Sequence, residues 1–329
     1  MKVLITGGTG FIGVQLADHL LRAGSVQLEG EQPQHIEKIV LFDAFSGERQ
    51  WHDPRIKVVT GDICDAQTIA LATENVDLVW HLAAVVSAQA ESDFDLGMQV
   101  NVKGLWNLLE ALRGSRVRPR LVNASGFAVF GGDLPEVVTD QTAPLPKTSY
   151  GMQKAVGELL VADYARKGFV DGRSLRLPTI VVRPGKPNKA ASTFVSSIIR
   201  EPLAGQTAVC PVRADTLVYI SSPRRALESM LHAMSLSEKK LGLEPTIPLP
   251  GITVSIGEMV SVLERVAGPA ATRLILWEPN AEIQRIVSSW PARVEAARAK
   301  ALGFRSDGDF EAIVRAHIED ESVPAWWLR

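Results

Sequence analysis

A chain of 329 residues that is 46% hydrophobic carries enough apolar surface for an extensive core, which excludes a largely disordered polymer. Its 35 Lys and Arg against 37 Asp and Glu leave a formal charge of −2, so no basic footprint for nucleic acid or an anionic membrane is present. Cys64 and Cys210 stand far apart without Cys or His neighbours at ligand spacing, which excludes a disulfide framework and a zinc site; no metal is expected.

The first apolar run, Val3 to Ile5, is too short for a signal peptide, and no stretch reaches the roughly 18 apolar residues of a membrane span. A cytoplasmic protein with a small-molecule partner is expected. Short β-branched runs at 2–6, 38–42, 56–59, 78–82, 120–124 and 174–182 read as strands. Between them lie helical patterns, with Phe11, Leu16, Leu20 and Leu21 on one face of the first and Val100, Leu105, Leu108, Leu109 and Leu112 on one face of another. Such alternation predicts an α/β fold of the Rossmann type, a doubly wound parallel sheet, with a smaller substrate-binding region weighted to the C-terminus. Residues 1–182 are expected to form the dinucleotide-binding domain, rejoined by about 217–240, and residues 183–329 mainly the substrate-binding region. After Val182 the segment from Arg183 to Lys189 carries two prolines, a glycine and three cations, and reads as a loop leaving the sheet. Helices are predicted at 224–235, 256–267 and 291–302, with a proline-rich passage at 245–251 between them.

Gly7, Gly10 and Gly13 follow the first strand and open the first helix. Glycines there let the backbone approach a pyrophosphate, and the helix start, with Phe11 and Ile12, supplies free N–H groups. Asp43, at the end of the second strand, can accept hydrogen bonds from ribose hydroxyls and repels a 2′-phosphate, so NAD is favoured over NADP. A polar insertion at 28–35 accounts for the long interval from Gly13 to Asp43.

Tyr150 and Lys154 stand one helical turn apart, so an ammonium group can sit beside a phenol. Phenols titrate near pH 10; a neighbouring cation favours phenolate and makes Tyr150 a usable base at neutrality.

GGTGFIG at 7–13, Gly61-Asp62-Ile63, His81-Leu82-Ala83-Ala84, Asn101-Val-Lys-Gly104, Ser125 and the Tyr150–Lys154 pair occur in the order seen in extended short-chain dehydrogenases, which the whole chain resembles. The resemblance implies that Asp62 and Ile63 lie by the adenine, that Leu82, Ala83, Ala84 and Pro178 line the cofactor, that Asn101 supports the cofactor site, and that Ser125 joins Tyr150 and Lys154 on the substrate. The family places its hydroxyl four residues before the aromatic at Phe130; that position is Gly126 here, and Ser125 is the adjacent hydroxyl. The stretches at 128–137, 183–191, 200–203 and 301–305 are similar to D-erythronate dehydrogenases of this family. That similarity implies a small sugar acid as substrate, oxidised at C2, and family members are commonly homodimers. Arg183, Lys186, Asn188 and Lys189, in the loop after the last strand, are candidates for the carboxylate and hydroxyls, as is Ser87 after the HLAA strand. Two other readings stay open: a nucleotide-sugar epimerase or dehydratase, and an NAD-sensing protein without catalysis.

Overall fold

The computed structural model describes residues 1–185 and 192–328. Its contacts divide the chain into two compact units, the first of Met1–Gly126, Thr148–Arg176 and Leu227–Pro248, the second of Phe127–Lys147, Leu177–Ala226 and Leu249–Arg329. The sequence boundary expected at 182 thus falls at Arg176, the rejoining stretch runs 227–248 rather than 217–240, and residues 127–147 cluster with the second unit.

In the first unit seven strands form one sheet: β1 Lys2–Thr6, β2 Lys38–Asp43, β3 Ile56–Thr60, β4 Leu78–His81, β5 Arg120–Gly126, β6 Asp171–Leu177 and β7 Thr246–Pro248. Their spatial order is β7-β6-β5-β4-β1-β2-β3. β1 runs parallel to both β2 and β4, β2 to β3, β4 to β5 and β6 to β7. The order reverses at β1, and in open α/β sheets ligands bind outside the carboxyl ends of the strands at such a reversal.

Strands covered on both faces need apolar side chains on both, and β1, β2 and β4 supply them: Val3, Leu4, Ile5, Ile39, Leu41 and Val79 are fully buried or nearly so. Helices α1 (Phe11–Ala23), α2 (Ala66–Ala72), α3 (Ser87–Ser92), α4 (Leu105–Arg113) and α5 (Ser149–Arg166) connect or flank them. Leu105, Leu108, Leu109 and Leu112 of α4 pack with Leu4, Val79, Leu121 and Val161 in one core cluster. A π-helical segment, Met98–Gly104, leads into α4.

The second unit carries α6 (Thr193–Leu203), α8 (Ile256–Thr272) and α9 (Phe310–Asp320) around a core that includes Val195, Ile199, Met259, Leu263 and Val314. A three-stranded sheet, Ile252–Ser255, Leu217–Ser221 and Thr179–Ile180, lies with it. The predicted strand at 174–182 is therefore two, because Pro178 has no N–H to continue a ladder. Helix α7 (Pro223–Ser235) begins in the second unit, and from Leu227 onward belongs to the first.

Four other expectations shift. The insertion at 28–35 is not simply polar: Ser25–Val26 and Gln34–His35 pair as a short antiparallel ribbon, and Leu28 is buried. The helix at 256–267 runs on to Thr272 across a kink where Gly268 takes φ 73° before Pro269, and the helix at 291–302 shortens to Ala297–Ala301. The proline-rich passage contains β7.

Candidate active site

The turn after β1 admits only glycine at Gly7 and Gly13. Gly7 adopts φ +69°, and a Cβ there would stand 2.8 Å from the Ala83 nitrogen; a Cβ on Gly13 would stand 2.4 Å from the Gly7 carbonyl oxygen. This pulls the start of α1 against the loop after β4. Gly10 caps α1 without any side-chain hydrogen bond, and the first turn holds no acidic residue, so the N–H groups of Phe11 and Ile12 meet no side-chain cap. Backbone donors and the positive helix end there suit a pyrophosphate.

Asp43 closes the same loop from β2. Its Oδ2 accepts from the Thr9 N–H at 3.1 Å and Oδ1 from the Phe45 N–H at 3.4 Å, which fixes the carboxylate while leaving lone pairs on both oxygens. Together, the glycine cradle, the uncapped helix and the held carboxylate fit NAD, whose nicotinamide accepts a hydride when bound.

The HLAA segment is anchored from behind. Thr6 Oγ1 and His81 Nδ1 share a hydrogen bond of 2.7 Å, the Leu82 N–H donates to the Thr6 carbonyl at 3.0 Å, and the Ala83 N–H reaches Thr6 Oγ1 at 3.4 Å. Desolvation, with a smaller contribution from Lys154, holds the imidazole of His81 down to about pKa 3, so it is neutral. Asn101, at the π-helical segment, accepts from the Val85 N–H at 2.8 Å and donates to the Val85 carbonyl at 3.2 Å and to Gln153 Oε1 at 2.7 Å. It ties the loop after β4 to α5.

On α5, Thr148 caps the helix by accepting from the Gly151 N–H at 3.1 Å. Tyr150 follows, half-buried, and the Lys154 ammonium lies 5.6 Å from the centre of its ring. Lys154 Nζ donates to the Ala124 carbonyl of β5 at 2.9 Å; burial lowers its pKa to about 8, opposed by the carboxylate of Glu158. The sequence spacing and the geometry agree on this pair.

The remaining expected residues are held as follows. Asp62 is exposed and its Oδ1 accepts from the Cys64 N–H at 2.8 Å, a local turn, while the Ile63 side chain joins the core cluster. Ser87 opens α3, half-buried. Ser125 is buried, and its hydroxyl donates to Glu158 Oε1 at 2.6 Å. In the second unit, Pro178 packs where a Cβ on Gly251 would fall, at 3.0 Å, and the Arg183 backbone is held by Ser196 Oγ at 3.1 Å and by Arg200 Nη1 at 2.6 Å. Lys186, Asn188 and Lys189 lie outside the described residues. Sequence reasoning passed over Gln153, Glu158 and Arg176, although a carboxylate and a guanidinium on otherwise apolar stretches of a helix and a strand are the usual mark of a buried pair. Among the described residues no three His, Cys, Asp or Glu side chains gather to hold a metal ion, and no helix is long and apolar enough to cross a membrane.

Comparison with known proteins gives a consistent picture. The chain is 50% identical over 324 residues to a D-erythronate dehydrogenase of Cupriavidus necator, covering 98% of this chain and 99% of that one. It is 44% identical to a D-erythronate dehydrogenase of Haemophilus influenzae, covering 97% and 99%. A solved structure described as a nucleoside-diphosphate-sugar epimerase from Agrobacterium tumefaciens superposes with a TM-score of 0.91 at 40% identity, covering 99% of this chain and 96% of that chain. The model of the NAD dependent epimerase/dehydratase family matches residues 3–221, and the chain belongs to that family as an NAD-dependent enzyme.

Proposed function

We propose that this protein is a dehydrogenase that oxidises the C2 hydroxyl of a small sugar acid, D-erythronate, to the 2-oxo acid. The observation that carries the reading is the Lys154 ammonium held 5.6 Å from the Tyr150 ring centre by the Ala124 carbonyl. At neutral pH a lysine of pKa about 8 keeps its proton, and its charge favours the phenolate. Tyr150 takes the proton of the C2 hydroxyl and Lys154 stabilises the phenolate until that proton arrives; NAD, when bound, would supply the acceptor for the hydride of the same carbon. Neutral His81 behind Lys154 adds no competing charge.

Gly7, Gly10, Phe11, Ile12, Gly13, Asp43, Asp62, Ile63, Leu82, Ala83, Ala84, Asn101 and Pro178 are assigned to the surroundings of NAD. Arg183, Lys186 and Asn188 are assigned to the carboxylate and hydroxyls of the acid, as is Ser87. The C. necator and H. influenzae relatives, named for D-erythronate, support that substrate. The two reduced cysteines fit a cytoplasmic location. Exposed Trp106 on α4 and Leu159 on α5 are the face proposed for a homodimer.

Purified protein given NAD and D-erythronate is expected to accumulate NADH, read by absorbance, and Tyr150→Phe to lose about 10²- to 10⁴-fold in kcat. The A. tumefaciens structure, named an epimerase, favours a second reading, in which hydride returns to a nucleotide sugar. Conversion of UDP-sugars without net NADH, and none of the acid, would move the assignment there.

A further inference from the structure

Behind the Tyr150–Lys154 pair lies a buried polar cluster that the proton transfer does not use. The Glu158 carboxylate, one turn beyond Lys154 on α5, meets the Arg176 guanidinium of β6 with both oxygens, Oε1 to Nε at 2.9 Å and Oε2 to Nη2 at 2.7 Å. Ser125 Oγ donates to the same Oε1 at 2.6 Å. Glu158, Arg176 and Ser125 are all less than a tenth exposed. Lys154 Nζ meanwhile donates to the carbonyl of Ala124, the residue before Ser125. Two successive residues of β5 therefore fasten two successive turns of α5.

An apolar cluster would hold a helix on a strand at least as well as an ion pair taken out of water. What an apolar cluster does not provide is a fixed negative charge one turn from a buried ammonium. The groups facing Lys154 are Tyr150 and Glu158 on its own helix, His81 on β4, the Ala124 carbonyl and Ser125 on β5, and Arg176 on β6. His81 is neutral, and the Arg176 guanidinium is turned to Glu158 in a bidentate contact. Glu158 is the charge that opposes the desolvation of Lys154. With Gly126 at the position where the family keeps its hydroxyl, the one hydroxyl nearby is turned into this cluster.

We propose that Glu158, held in place by Arg176 and Ser125, is a positioning residue that keeps Lys154 charged beside Tyr150, and that Ser125 serves Glu158 rather than the substrate. This rests on Tyr150 and Lys154 being the proton-handling pair.

The chain has three tyrosines, so the Tyr150 transition is read as the difference in phenolate absorbance between the wild type and Tyr150→Phe in an alkaline titration without nucleotide. Glu158→Gln is expected to raise that transition, and the acid limb of the kcat/KM profile, by about one pH unit, because Lys154 loses its proton earlier. Since this variant strands Arg176, the double variant Glu158→Gln/Arg176→Met, which leaves no unpaired charge, is measured beside it and should shift the same way. A double variant that melts cooperatively yet titrates and turns over with wild-type midpoints would overturn the proposal. Ser125→Ala should lower kcat less than about tenfold and move the profile upward; a loss of about a hundredfold with an unmoved profile would put its hydroxyl on the substrate instead. Tyr150→Phe separates the two levels: an active Tyr150→Phe protein defeats the assignment of the pair itself, whatever Glu158→Gln does.

Discussion

His81 illustrates how a single buried side chain ties stability to pH. Its imidazole titrates at about 3 in the folded chain against 6.5 in the open one, so the unfolded state binds the extra proton. Stability is full above pH 6.5 and falls as pH drops toward 3, by about 2 kcal/mol at pH 5 from this residue alone. His317, lowered to about 4 by burial, adds to the same limb. Urea unfolding from pH 7.5 to 4.5 should show the slope, and His81→Gln, which keeps a polar partner for Thr6, should flatten it; an unchanged slope would mean that His81 takes up its proton at the same pH in the folded and the open chain. Ser125 marks the limit of sequence reading at this scale. Its place beside the family position suggested a substrate contact, yet no spacing in one chain reveals that a glutamate 33 residues later takes the hydroxyl.

Among elements, the β1 turn and α1 were the most legible, because a requirement on one backbone writes itself directly into residue type. Gly13→Ala tests that requirement. The added methyl meets the Gly7 carbonyl and the Gly8 backbone within 3 Å, and overpacking of this kind costs about 1–3 kcal/mol. The variant is expected to melt earlier and to bind NAD at least tenfold more weakly by calorimetry, whereas Gly10→Ala, whose Cβ would meet only the Gly7 oxygen at 3.2 Å, should melt close to the wild type. The least legible elements were short or irregular. β7 has three residues within a run of prolines, and its pairing with Ser174, Leu175 and Arg176 is a long-range contact that local pattern does not encode. The π-helical turn that aims Asn101 at Val85 and Gln153 likewise looks, in sequence, like an ordinary stretch of helix.

For the molecule as a whole, the exposed apolar surface on the helices of the first unit bears on assembly. Trp106 is 53% exposed and Leu159 71%, and Trp106 Nε1 donates to the Tyr164 hydroxyl at 3.1 Å, so α4 and α5 meet at the surface and each exposes a large apolar side chain. Large exposed apolar side chains that adjoin mark contact surfaces. Sedimentation of the wild type is expected to report a dimer and that of Trp106→Glu/Leu159→Glu a monomer of unchanged helical content; a wild type that sediments as a monomer removes the assignment.

Residues far along the chain complete the first unit. Arg173 donates to the carbonyls of Ala233 and Leu236 at 2.8 and 2.7 Å, Arg120 to that of Met234 at 2.9 Å and the Trp80 indole to that of Met230 at 3.1 Å, while β7 covers the outer edge of β6. A nascent polypeptide that has left the ribosome only as far as residue 200 therefore has two arginines and an indole facing absent acceptors, and an open strand edge ready to pair with a stranger. The first unit becomes a self-sufficient body only once Pro248 has emerged.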